Sequence, residues 1–227
     1  MTDPQIPKRP TPNARLASDA RLAWILGGSL LIGSVVIAII VQPVAGLFVG
    51  GNLLGTVMAS AALLLFALGV RRAGSVTARR PLGTTALTVL AVWALLVEAL
   101  YEILSAAELP FATFASLGYL DMLIQFTAAL IAAIQIARAG VVPGVWKWAP
   151  TWALAAAVAP TLLGQIVSLG VMTDPLPVAT AVMAVERMGW IAGPVFLGVL
   201  AIVLANRTAR PQTVPVYQSG ETARIQD

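Results

Sequence analysis

The chain contains no cysteine and no histidine. The first absence excludes disulfides, iron–sulfur ligation and thiol nucleophiles. The second excludes a Ser-His-Asp triad, a histidine-ligated haem and a conventional zinc site. No cofactor is expected, and no catalytic residue stands out. Carboxylates are the side chains left that can be tuned to move a proton near neutral pH. Charge of either sign is also scarce: 11% of the 227 residues are charged and 59% are hydrophobic. A soluble domain is about a quarter charged, so this composition excludes one. The net charge of +4 is small, and its placement argues against nucleic acid as a partner.

What is present is six long apolar runs. They predict an all-α, polytopic membrane bundle of six transmembrane helices, with spans near 22–41, 46–70, 83–105, 118–137, 151–171 and 180–205. A polar, proline-rich segment (1–21) and a tail (206–227) read as disordered. Span one reads as a retained anchor. A signal h-region is only about 7–15 residues long, and Pro43 sits badly in the would-be cleavage site.

Basic residues set the orientation. Lys8, Arg9, Arg15 and Arg21 precede span one, and Arg71, Arg72, Arg79 and Arg80 separate spans two and three. Arg138 and Lys147 separate spans four and five, and Arg207, Arg210 and Arg224 follow span six. The other connections carry none, so both termini are expected in the cytoplasm. Trp24, Trp146, Trp148 and Trp152 fall at the same boundaries, where indole rings favour headgroups. The Arg-over-Lys bias and the Ala, Val and Leu richness fit a GC-rich bacterial genome, so a cell (inner) membrane is expected. Anionic lipid headgroups are expected partners of Arg71, Arg72, Arg79 and Arg80, at about 1 kcal/mol per basic residue. A membrane-protein partner or a second copy of the chain is the other class of expected partner. Asn206-Arg207-Thr208 matches a glycosylation acceptor, but its cytoplasmic placement removes that meaning.

Small residues four apart, at Gly46/Gly50, Gly51/Gly55, Gly164/Ser168 and Gly189/Gly193, predict close helix crossings. Pro160 and Pro194 predict kinks in spans five and six, each freeing a carbonyl one turn earlier.

The acids reverse the asymmetry of the bases. Outside the two tails, all six lie toward the extracytoplasmic side. Counting 1.5 Å per residue, Asn52, Glu98, Gln125, Gln165 and the neighbours Glu186 and Arg187 share a level about 10 Å below that surface. Glu102 and Asp121 form a layer about 5 Å deep. The pairs Glu98/Glu102 and Asp121/Gln125 each share a helix face. Arg187 is the one cation against several carboxylates, so protonation, water or a bound cation must balance the rest. Ser34, Thr56, Ser60, Thr85, Thr88 and Gln135 are the polar residues of the other half, where hydroxyls can bond to their own backbone.

Three functions compete: small-solute or proton-linked transport or accessory service to it, a sensor or assembly protein held together by the polar layer, and a lipid-modifying enzyme. Transport leads. The enzyme is weakest, for want of a nucleophile and a phosphate site.

Overall fold

Pro12, Pro81 and Pro175 each stand at the first residue of a helix. A missing N–H costs nothing there, because the first turn has no partner to offer it. The computed structural model describes residues 12–41, 53–70, 73–106, 111–142, 144–170 and 175–207. They form six helices: α1 (Pro12–Val41), α2 (Leu53–Leu68), α3 (Pro81–Ala106), α4 (Phe111–Ala139), α5 (Ala149–Gly170) and α6 (Pro175–Arg207). A short 3₁₀ helix (Gly144–Trp148) leads into α5. There is no strand among the described residues, only an isolated bridge between Val70 and Ala73.

Four helices contain a segment long and apolar enough to cross a membrane: Leu16–Val41, Pro81–Leu104, Thr113–Ala139 and Arg187–Arg207. α2 is a shorter apolar helix of 16 residues; the rest of the expected span two, 46–52, lies outside the described residues. The outward faces are largely apolar, with Ile40 and Ile103 each 66% exposed and Leu123 63%. Water does not tolerate so continuous an apolar surface. The chain is a membrane-embedded helical protein.

Three helices start well before their expected spans, α6 at Pro175 rather than near Thr180. α1 begins at Pro12 rather than near Leu22, and its added turns are held where Arg21 Nη2 donates to Asn206 Oδ1 of α6 at 3.0 Å. α4 begins at Phe111 rather than near Gly118. There Phe114 stacks on Tyr101 of α3, with ring centroids 6.4 Å apart and planes 7° from parallel.

Each helix packs on the next from α1 to α4, α5 packs on α6, and α6 returns to α1. α4 and α5 touch least and are bridged by the 3₁₀ helix. Arg21, Arg79, Arg80, Arg138, Lys147 and Arg207 are all exposed at the end of the bundle holding the α2–α3 turn, hereafter the basic end.

Glycines set the closest crossings. A Cβ on Gly28 would stand 2.6 Å from the Gly198 carbonyl oxygen, and one on Gly198 would stand 2.7 Å from that of Gly28. The pair joins α1 to α6 at backbone contact. On the α5–α6 seam, Pro160 deprives the Ala156 carbonyl of its helical donor. That oxygen lies against Gly189, where a Cβ would come within 2.8 Å. The expected close crossings at Gly189 and Gly55 (beside the Ser34 carbonyl) are thus present; Gly46, Gly50 and Gly51 lie outside the described residues.

The α2–α3 connection is folded into the base of the bundle. The last carbonyls of α2 are taken up by Gly69 N from Leu65, Val76 N from Phe66 and Ser75 Oγ from Ala67, at 2.7–2.9 Å. Trp24 Nε1 of α1 donates to the Gly74 carbonyl at 2.8 Å. Thr77 is fully buried, and Val76 joins Ile136, Val142 and Leu204 in an apolar cluster. A sequence reading of this stretch as a charged topology loop accounts for Arg79 and Arg80, which are exposed. It does not account for the plug between the arginine pairs.

Candidate functional site

Helical periodicity divides the polar residues of α3 between two faces. Leu87 and Leu90 look into the bundle interior, and Glu98 falls within about 20° of Leu87, three turns further from the basic end. Glu102 falls within about 20° of Ala91, whose carbonyl accepts Ser60 Oγ of α2 at 2.9 Å. Glu98 and Glu102 are both half-buried.

Trp93 occupies the other face and turns toward α4. Its Nε1 donates to Asp121 Oδ1 at 2.9 Å. Gln125 Nε2, one turn along α4, donates to the same oxygen at 2.7 Å. The face-sharing expected of Asp121 and Gln125 is therefore a direct hydrogen bond. Trp93 was not among the candidates. Its signal was its position: it lies far from both boundary belts, where an indole N–H in hydrocarbon needs an acceptor.

The order of the two layers differs from expectation. Asp121 bonds to Trp93, five residues further from the α3 C-terminus than Glu98, or about 7 Å by helical rise. Asp121 is therefore the deeper carboxylate, not the shallower one. The cause is the early start of α4, which carries Asp121 ten residues inside its helix rather than three beyond Gly118.

Asn52 lies outside the described residues. Gln165 and Glu186 lie on α5 and α6, but their side chains are outside what is described. Arg187 is exposed and is not among the donors to Asp121. It does not have the buried position expected of it, because Val185, Met188 and Trp190 around it are also exposed, at 52%, 72% and 75%. Neither Arg187 nor Glu102 is without a partner. In the other half, Ser34, Thr85 and Thr88 satisfy their hydroxyls on carbonyls three or four residues back, as expected.

One helical turn toward the basic end from Trp93 and Gln125, the interior becomes apolar. A chamber of about 370 Å³ opens there, lined by side chains of all six helices. Leu31, Leu63, Leu90, Ala132, Ala153 and Leu197 are representative of its wall, and the plug residue Val76 closes it toward the basic end. No carboxylate, amide or hydroxyl side chain lines it. Water held there would lack the two to four polar partners it needs. An apolar lining of this kind suits hydrocarbon.

No family model matches this chain, and neither a curated protein nor a solved structure matches it. The chemistry of the site must be read from its geometry. A carboxylate in a membrane span is costly unless paired or wetted. The donors fixed on Asp121 are neutral and both land on Oδ1.

Proposed function

We propose that the chain is a six-span cell-membrane protein with both termini in the cytoplasm. On this reading its polar layer binds a proton or a small cationic solute during transport, either alone or as the accessory subunit of a transporter. Asp121, Gln125 and Glu98 form the centre of the proposed site. Glu102, Glu186, Arg187, Asn52 and Gln165 are the other residues expected at this level from the sequence. The six-span reading is supported by the alternation of basic and base-free connections, and by the exposure of Arg21, Arg79, Arg80, Arg138, Lys147 and Arg207 at one end. The transport reading is carried by a single observation: an intramembrane carboxylate is fixed by two neutral donors, Trp93 and Gln125, on one oxygen.

One observation favours a second reading. The Trp93–Asp121 bond lies on the same seam as the Tyr101–Phe114 stack, so the pair also serves as glue between α3 and α4. Asp121→Asn separates the two, because asparagine keeps an acceptor oxygen for Trp93 while losing the charge. In proteoliposomes, proton flux is followed with a trapped pH-sensitive dye and uptake with a panel of labelled primary and quaternary amines. The variant is expected to melt close to the unaltered protein and to lose flux or uptake at least about tenfold, one charge contact of about 1.4 kcal/mol. Undiminished flux and uptake in the double variant Asp121→Asn, Glu98→Gln would leave only the glue.

A further inference from the structure

We propose that the six-helix chamber seats an acyl chain of an anionic membrane phospholipid whose headgroup is held at Arg207. A second cavity of about 150 Å³ runs along the outer side of α6 and ends at Arg207. It shares Trp146, Leu200 and Leu204 with the chamber, so the two spaces adjoin along these three side chains. Its remaining wall is Phe196, Val199 and Val203, each more than 40% exposed, and it therefore opens toward the surrounding hydrocarbon. Together the two spaces have the size of ordinary ligand pockets, about 300–1,000 Å³.

The charge around the slot selects the headgroup. Arg207 is the last residue of α6, where a cation also meets the negative end of the helix. Arg21 is brought alongside by its bond to Asn206, and Lys147 follows the slot residue Trp146. No carboxylate lines either cavity. Guanidinium groups favour phosphate oxygens in a fork geometry, and a zwitterionic headgroup would bring its own cation into this cluster. The proposal rests on the chain being membrane-embedded and is independent of the Asp121 site.

Trp24 lines the chamber and Trp146 lines both spaces, so lipid in either one is reported by fluorescence. In a Trp152→Phe, Trp190→Phe background, which removes the two most exposed indoles, the purified chain is titrated with tail-brominated phosphatidylglycerol or phosphatidylcholine in detergent. Quenching is expected to saturate, with phosphatidylglycerol acting at a concentration at least tenfold lower. Arg207→Gln should abolish that preference. Ala132→Leu and Ala153→Leu, made separately so that one misfolded variant does not end the test, should each reduce the saturable quenching by both lipids. Equal potency of the two lipids on the unaltered slot overturns the headgroup assignment. Undiminished quenching in a folded, chamber-filled variant overturns the seat of the chain. An unbrominated free fatty acid that relieves the quenching by phosphatidylglycerol at equal concentration assigns the space to another occupant and overturns the phospholipid.

Discussion

Alanine at Gly28 or at Gly198 is expected to destabilise the bundle by about 2–3 kcal/mol each, the upper range for overpacking a close crossing. The added Cβ in either case meets a backbone carbonyl of the opposite helix, at 2.6 or 2.7 Å. A backbone oxygen cannot swing aside as a flexible side chain can, so α1 and α6 must separate. Both substitutions force the same separation. The double variant should therefore cost well under the sum, with a coupling energy of at least about 1 kcal/mol. Equilibrium unfolding of the four proteins in mixed detergent provides all the terms. Strict additivity would show that the two glycines do not share one crossing. By contrast, Gly33 faces only the terminal methyl of Met58, a flexible neighbour, and Gly33→Ala should be tolerated far better.

The second large effect is expected in the plug. Gly69 has a φ of +71° and Gly74 a φ of +81°, a region that costs a side-chain-bearing residue about 1 kcal/mol or more. A Cβ at Gly69 would also collide with the Ala73 carbonyl, and one at Gly74 would come within 2.8 Å of the Ala20 Cα on α1. Gly69→Ala and Gly74→Ala should each cost about 3 kcal/mol as strain and collision add. They should also release Trp24 from the Gly74 carbonyl, seen as a red shift in its emission. Ala78 and Arg79 supply the opposite sign. They adopt φ values of +49° and +58° without being glycine, so Ala78→Gly should be neutral or stabilise by up to about 1 kcal/mol. A plug that melts no earlier after Gly69→Ala would mean that the turn is not fastened to the bundle.

The architecture was readable because its determinants are one-dimensional. Hydropathy marked the helices, and the arginines of alternate connections marked one end. What escaped depended on register between helices remote in sequence. Gly28 is one of several glycines until α1 and α6 are laid antiparallel, with Arg21 beside Asn206 and Gly28 beside Gly198. Ser60 looked like a hydroxyl that would bond within its own helix, yet it bonds the Ala91 carbonyl of α3. Trp93 looked like a hydrophobic residue of span three, and only the neighbouring Asp121 shows what its N–H serves. Counting depth from hydropathy edges placed Asp121 too high, because apolar runs mark where membrane begins and not where a helix begins. The chamber carries no motif at all. It arises where alanines such as Ala59, Ala132, Ala153 and Ala201 leave room that neighbouring leucines do not fill.

The central claim is a polar level that solvent or solute reaches from the extracytoplasmic side, resting on a chamber that water does not enter. A chain with no cysteine of its own allows this to be measured one position at a time. In sealed, oriented vesicles, Gln125→Cys should react with a membrane-impermeant maleimide added from the extracytoplasmic side and from no other. Ala132→Cys, two turns further in, should resist that reagent from both sides while the chain is folded and react once it is unfolded in denaturing detergent. Labelling of Ala132→Cys by the impermeant reagent from either side, or failure of Gln125→Cys to label at all, would contradict the account.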